Sequence, residues 1–310
     1  MRRVIVLLAT HNGFAWLPEQ TKSILGQQDV EVRLVISDDA SSDGTAVWIQ
    51  TLAAVESRVV LLPSAGPFGS AAKNFYRLLL DADFGDVDYV AFSDQDDIWF
   101  PDKLTRSVNF LLRHAATAVS SNVTAFWPDG RRRLVNKAQP QQGFDYLFEA
   151  AGPGCTYLMT VAFAREMRSQ LIQLIKMGGA LPAHHDWFCY AFCRMRGGRW
   201  LIDTKPSMDY RQHGRNEVGV NSGLKAAAGR HRKIASGWYR REVQGMASLA
   251  RVQRPDDTSL ASATLRLGRG SLVDRVVLAL QVRRFRRRWR DRLILAAYFL
   301  TGLFWCDSKR

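Results

Sequence analysis

Short, continuous apolar runs alternate with stretches of helical period through the first half of the chain, which predicts parallel βαβ units. Residues 4–8 (Val-Ile-Val-Leu-Leu) read as a strand, and the polar turn Thr10-His11-Asn12-Gly13 leads into a helix reaching about residue 25. Residues 30–37 read as a second strand ending at Asp38-Asp39, and the turn 40–45 opens a helix through about residue 54. A strand over 58–62, a helix over 71–80 and a strand over 88–92 follow. The last of these delivers Ser93-Asp94-Gln95-Asp96-Asp97. Open α/β sheets bind ligands at the carboxyl ends of their strands. Thr10, Asp38, Asp39, Asp94 and Asp96 are therefore expected on one edge.

The second half is less regular. A single strand is predicted over 117–126, a polar hairpin-like turn over 130–133, a strand over 155–161 and a helix over 162–176. His184-His185-Asp186-Trp187 starts a helix through about residue 195, followed by a short strand over 200–203 and an extended segment over 208–213. From Lys225 the period is helical, with breaks near Pro255 and Gly268-Arg269-Gly270. The expected organisation is an α/β body over 1–224 and a helical extension over 225–310.

Charge sharpens that division. The chain carries 43 Lys+Arg against 29 Asp+Glu, a net +14. Residues 225–310 hold 20 basic and 6 acidic side chains, so the whole excess lies in the extension and the body is neutral. This predicts an anionic surface met by the tail, and excludes a polyanion lying across the body. Nucleic acid is not an expected partner, because no recognition module is visible. Cys155, Cys189, Cys193 and Cys306 form no CxxC pair and no zinc spacing. With no secretory signal read at 1–8, a reducing cytoplasm is expected.

The acidic loop carries the chemistry. Asp94, Asp96 and Asp97 at the end of a buried strand repel one another unless a divalent cation sits among them. Mg²⁺ or Mn²⁺ takes such oxygen ligands together with substrate phosphates. A helix-capping turn is the structural alternative, but a cap needs one Asp. Asp38 and Asp39 can accept from a uracil or thymine N3–H or a ribose hydroxyl, or can cap the following helix. Neither GxxxxGK[ST] nor GxGxxG is present, so a P-loop and a dinucleotide site are unsupported.

The strings at 4–13, 37–45 (Ser-Asp-Asp-Ala-Ser-Ser-Asp-Gly-Thr) and 92–104 (FSDQDDIW-x-PDKL), with Tyr210-Arg211-Gln212-His213-Gly214-x-Asn216, resemble glycosyltransferase family 2, in its rhamnosyltransferase-like branch. The resemblance covers about residues 1–220. It implies the GT-A fold, a Rossmann-like and mostly parallel central sheet flanked by helices, here with a C-terminal helical extension. It also implies an inverting, metal-dependent transfer from a nucleotide-sugar donor to a saccharide or lipid-linked acceptor in polysaccharide synthesis.

The resemblance assigns roles residue by residue. Thr10, Asp38, Asp39, Lys73 and Asn74 would meet the nucleotide, with Lys73 and Asn74 alternatively a solvated helix start. Asp96 would ligate the metal, with Asp94 nearer the ribose and sugar. His213 would complete the coordination or contact the diphosphate, unless it is structural. Arg211 and Arg215 would pair with phosphate. Asp97 would face the acceptor or make a structural hydrogen bond, and Trp99 and Trp187 would stack on sugars or belong to the core. Asp186 matches the base that removes the acceptor hydroxyl proton, with an ordinary helix cap as the alternative. Relatives often carry Glu-Asp where this chain has His185-Asp186, so His185 either orients the acceptor or packs.

The implied donor is dTDP-rhamnose, with a UDP-hexose as alternative. A metal-dependent phosphohydrolase or nucleotidyltransferase would also use clustered Asp. The tail adds Arg283-Arg284-Phe285-Arg286-Arg287-Arg288-Trp289-Arg290 before an apolar run over 293–305. As a helix that run is about 20 Å long, short of the ~30 Å a span requires. Attachment through 283–305 to the anionic inner face of the cell membrane is expected; the alternative is a helix packed on the protein with a solvated Arg face.

Overall fold

The computed structural model describes residues 1–214, 229, 234 and 236–306. Arg215, Asn216 and the expected boundary at 224/225 lie outside the described residues.

Two compact units interleave along the chain. The first gathers Met1–Ala138, Gly152–Asp186 and the described residues from 198 to 214. The second gathers Gln139–Ala151, Trp187–Gly197 and the described residues beyond 220.

The first unit is built on a seven-stranded sheet in the order β10-β6-β9-β4-β1-β2-β3. Strand β1 (Arg2–Thr10) is its centre, and Val4, Ile5, Val6, Leu7 and Leu8 are all fully buried. Burial on both faces explains why this strand reads as a continuous apolar run. Each such side chain contributes roughly 1.5–3 kcal/mol of transfer free energy. Strand β2 (Val30–Asp38) runs parallel to β1, with Thr10 opposite Asp38. Strand β4 (Tyr89–Ser93) is parallel on the other side, with Leu8 opposite Ser93. The acidic loop therefore leaves the same edge as Thr10 and Asp38. Strand β3 (Val59–Leu61) pairs parallel to β2, and β10 (Trp200–Asp203) parallel to β6 (Ala118–Ser121). Only β9 (Leu158–Thr160) runs antiparallel, so the sheet is mostly parallel as expected.

Helices α1 (Leu17–Leu25), α2 (Thr45–Val55), α3 (Ala71–Asp81), α4 (Lys103–Arg113) and α5 (Val161–Lys176) connect these strands. Helix α1 starts at Leu17, beyond the turn at 10–13. The N–H groups of Asn12, Gly13 and Phe14 are taken by Ser41 Oγ, Thr45 Oγ1 and Asp43 Oδ2, from the loop after β2 and the first residue of α2. Those donors are satisfied without a helical turn.

The single strand expected over 117–126 is two. After β6 the chain switches at Asn122 into β7 (Val123–Phe126), which belongs to a second, four-stranded sheet in the order β5-β11-β7-β8. Asn122 makes the switch possible by satisfying the backbone it interrupts. Its Nδ2 donates to Thr204 O, and its Oδ1 accepts from the N–H groups of Lys137 and Ala138. The small sheet joins β5 (Ile98–Trp99), directly after the acidic loop, to β11 (Met208–Arg211), with Asp209 opposite Ile98. Strand β8 (Arg132–Val135) closes a hairpin on β7.

Helix α6 (His185–Met195) begins in the first unit, and the chain passes to the second after Asp186. The second unit packs residues 187–195 of α6 with α7 (Trp238–Gln253), α8 (Thr258–Arg269), α9 (Leu272–Leu280) and α10 (Trp289–Leu300). Its core is aromatic: the Phe148 ring lies 4.8 Å from Phe285 and 6.3 Å from Phe299.

Part of the arginine cluster is inside this unit. Arg287 is buried, 3.9 Å from Asp145 and 3.5 Å from Glu149. Asp145 also meets Arg194 and accepts from Tyr190 Oη at 2.9 Å. Arg286 donates to Phe148 O and pairs with Asp291. These two arginines are not available to a lipid surface, which revises the expectation for 283–290. Their removal acts on stability. Arg287→Ala strips a counter-charge from buried Asp145 and is expected to destabilise the protein by about 3–5 kcal/mol. Denaturant unfolding checks this, and a loss below about 1 kcal/mol contradicts it.

Candidate active site

The first unit holds the acidic loop in place with neighbours that satisfy its backbone. Gln95 Oε1 accepts from Thr10 Oγ1 at 2.7 Å and from His11 N–H at 2.8 Å, and its Nε2 donates to His11 O. This clamps the loop after β4 to the loop after β1. The clamp needs Gly13, where a Cβ would come within 2.5 Å of Gln95 Oε1. From the other side, Arg211 Nε donates to Asp96 O at 2.8 Å and Arg211 N–H to Asp97 Oδ1 at 3.3 Å. The Arg211 guanidinium also pairs with Glu19 and lies over the Phe126 ring. Arg211 thus braces the loop, with Nε on the Asp96 carbonyl and Nη2 on Glu19.

The three loop carboxylates have different surroundings. Asp96 Oδ2 lies 2.6 Å from His213 Nε2, and the His213 ring stacks on Trp16 with centroids 4.0 Å apart. Asp94 is partly exposed, and an oxygen of Asp94, one of Asp97 and Cys155 Sγ lie within 4.8 Å of one another. Asp97 is fully buried, and its Oδ2 has no hydrogen-bond partner. Burial, then the charges of Asp96 and Asp94, push its carboxyl well above the usual carboxylate range. Lys103 Nζ, fully buried, sits 4.3 Å from the Trp99 ring centroid and 3.5 Å from Thr156 O. Burial pulls the Lys103 ammonium down to about 7. Burial also raises the Cys155 thiol, so it stays protonated and is no ligand for a hard cation.

The donor set fits Mg²⁺ or Mn²⁺. Asp96 offers a carboxylate oxygen and His213 an imidazole nitrogen at one spot, with Asp94 close in sequence and partly exposed. An orphaned carboxylate oxygen on Asp97 behind them is a cost of roughly 1–3 kcal/mol that a nearby cation or water offsets.

Several expected nucleotide contacts are occupied structurally. Asp39 accepts from the N–H groups of Phe68 and Gly69 and fixes that loop. Asp38 accepts from Ser41 N–H at 3.0 Å, three residues on, and so holds the turn before α2. Neither caps α2, whose N-cap Gly44 receives no side-chain bond: Asp38 braces its own turn and Asp39 a distant loop. Asn74 is buried, with Nδ2 donating to Thr10 O and Ser37 O, so it pins β1 to β2. Lys73 is exposed at the start of α3. Thr10 is buried, and its hydroxyl is held by Gln95.

The three expected acceptor contacts are also interior. Trp99 is 3% exposed, with its ring face against Lys103. Trp187 is 5% exposed and donates from Nε1 to Tyr146 O within the second unit. Asp97 makes the structural bonds described. Burial of the two apolar rings is favourable, whereas burial of Asp97 beside like charges is a cost.

Asp186 stands in the first turn of α6, where the helix dipole favours a carboxylate. Its link to the acidic loop runs through the 3₁₀ turn Gly154–Thr156. Cys155 lies against Asp94 and Asp97, and a Cβ on the preceding Gly154 would come within 2.5 Å of His185 Nε2 and 3.2 Å of Asp186 Cβ. Two consecutive residues thus touch the acidic loop and the start of α6. His185 packs: its ring stacks on Phe75 at 3.9 Å and meets Phe92 edge-on at 5.5 Å.

Burial lowers the His185 imidazole from 6.5 to about 4. Between those values the unfolded chain binds a proton that the folded chain refuses, so stability falls as pH drops from about 6.5 toward 4. The Tm difference between the wild type and the non-titrating His185→Leu variant should shrink across that window. Parallel Tm–pH profiles contradict a neutral, packed His185.

Sequence reasoning missed Gln95, Lys103, Cys155 and Trp16. Gln95 and Lys103 both lie inside the string 92–104 and were open to notice, whereas Cys155 and Trp16 gain their meaning only from long-range contacts.

A profile described as Glycosyl transferase family 2 matches residues 5–171. The chain belongs to that family. It is 41% identical to the dTDP-rhamnosyl transferase RfbG of Shigella flexneri over 298 residues, 96% of this chain and 100% of the relative. Among solved structures, S. aureus TarS 1-349 in complex with UDP-GlcNAc superposes with a TM-score of 0.55 at 14% identity, covering 98% of this chain and 89% of that one. The mannosyltransferase PcManGT from Pyrobaculum calidifontis, in complex with GDP-Man and Mn2+, gives 0.52 at 17% identity, covering 100% and 88%. These two likenesses concern the fold, which is that of the family's glycosyltransferases as expected. The family 2 member described here is a glycosyltransferase.

Proposed function

We propose that this glycosyltransferase moves rhamnose, with inversion, from dTDP-rhamnose to a saccharide or lipid-linked acceptor in the synthesis of a cell-surface polysaccharide. The 41% identity to a dTDP-rhamnosyl transferase along nearly the whole chain supports the donor. The mechanism rests on one observation: Gly154 and Cys155, adjacent in the chain, tie the acidic loop to the start of α6. Donor-side carboxylates and Asp186 therefore share one neighbourhood of the first unit.

In this reading Asp96 and His213, with Asp94, hold Mg²⁺ or Mn²⁺. The ion, when bound, offsets charge on the departing nucleoside diphosphate. Asp186 accepts the proton of the acceptor hydroxyl as the new C–O bond forms. His185 and Gly154 hold Asp186 in place. Gln95 and Arg211 fix the loop, so that its carboxylates need no reorganisation when the donor arrives. Asp97 and Lys103 form the buried floor beneath it. The rival of phosphate-ester hydrolysis has no use for Asp186 on the acceptor side.

No described helix is long and apolar enough to cross a membrane. We place the enzyme in the cytoplasm, peripheral on the inner face of the cell membrane, where a lipid-linked acceptor would be met. The test is release of dTDP from dTDP-rhamnose that depends on acceptor and Mn²⁺. Turnover of a UDP-hexose with dTDP-rhamnose inert overturns the donor assignment.

A further inference from the structure

The second unit exposes apolar surface on two helices that pack against each other, α9 and α10. On α9, Leu272, Val273, Val276 and Leu280 are 76%, 68%, 49% and 79% exposed. At 100° per residue they fall in an arc of about 100°, opposite the buried Asp274 and Leu278. On α10, Trp289, Leu293, Ile294 and Leu300 are 64%, 62%, 50% and 55% exposed, opposite the buried Leu295 and Phe299. Both helices are amphipathic in the inverted sense, with large apolar side chains on the open side as well as the packed one. Eight large exposed apolar side chains on two helices packed together are more than scattered surface residues and mark an interaction face.

The basic residues divide in a way that completes the pattern. Arg286 and Arg287 turn inward, while Arg283, Arg288 and Arg290 are exposed in the link between α9 and α10 and in the first turn of α10. Arg290 lies 5.4 Å from the Trp289 ring centroid. Helices of 9 and 12 residues are about 14 and 18 Å long, the size of in-plane interfacial helices.

We propose that the open faces of α9 and α10 dock on an anionic bilayer, lying in its plane with Trp289 and the exposed arginines at headgroup level. The proposal rests on the membrane-surface reading above and relocates the contact: helix α9, outside 283–305, contributes half of the apolar face. Charge selects the bilayer over a second copy of the chain. Pairing this face with itself about a two-fold axis would bring like-charged arginine groups together, whereas anionic headgroups complement them.

Flotation of the full chain with phosphatidylglycerol-containing vesicles tests it. The wild type should float, and Leu280→Glu/Leu293→Glu should lower the bound fraction at least about tenfold with unchanged Tm and unchanged turnover of a soluble acceptor. Arg288→Gln/Arg290→Gln should weaken binding about fivefold or more, and the remaining binding should depend less on salt. If the wild type floats and the Glu pair floats equally well, the docking face is wrong while membrane attachment stands. If the wild type fails to float, attachment itself is wrong. A wild-type dimer in sedimentation that the Glu pair converts to monomer assigns the face to a second copy and overturns the proposal.

Discussion

Asp186→Asn is expected to lower the rate of glycosyl transfer by about 10²- to 10⁴-fold, the usual contribution of a positioned general base, while donor affinity stays within about twofold. The amide has nearly the same shape and cannot take the acceptor proton. Asp186 is set in the first turn of α6, next to His185, whose ring is wedged between Phe75 and the bare α-carbon of Gly154. An Asn there should leave that packing unchanged, so Tm should hold. In the proposed function the donor side is made by other residues, so calorimetric binding of dTDP-rhamnose with Mn²⁺ should hold as well. Steady-state kinetics and calorimetry on the same preparation separate the two effects. Retained turnover removes Asp186 as the base. Lost donor binding makes it part of the donor site.

Asp96→Asn acts on the opposite half of the reaction. Asp96 contacts His213 at 2.6 Å, a carboxylate–imidazole pair at the acidic loop. Losing the carboxylate should weaken Mn²⁺-dependent donor binding by at least the ~10- to 100-fold seen when a metal site loses a supporting partner. Affinity measured without metal should change little. His213→Ala should show the same signature to a smaller degree. Unchanged metal-dependent affinity in Asp96→Asn assigns the cation elsewhere, with Asp94 and Asp97 the next carboxylates in the loop.

Much of this was legible in the chain. Continuous apolar runs followed by helical periods gave the parallel βαβ order, because strands buried on both faces need apolar residues at every position. Three aspartates after such a strand marked the edge at which they lie. Less legible was what each polar residue is already bonded to. Asp39, Asn74 and Arg211 sit in strings that resemble ligand contacts, yet each is held by a backbone group of another element. Asn122 gave no sign that it carries one strand into a second sheet, since its partners at 137–138 and 204 are distant in sequence. The arginine cluster read as one basic surface. Buried Asp145 and Glu149 divide it, drawing Arg287 inward and leaving Arg283, Arg288 and Arg290 outside.

The central claim is that carboxylates at the sheet's edge hold a cation against the donor's diphosphate. A crystal of the protein grown with Mn²⁺ and dTDP, measured at the manganese absorption edge, tests it most directly. The account predicts an anomalous peak about 2.1–2.3 Å from an Asp96 oxygen and His213 Nε2 and in contact with the diphosphate, with the Asp96–His213 hydrogen bond replaced by coordination. A bound dTDP with no manganese at the loop, and that hydrogen bond still in place, contradicts it.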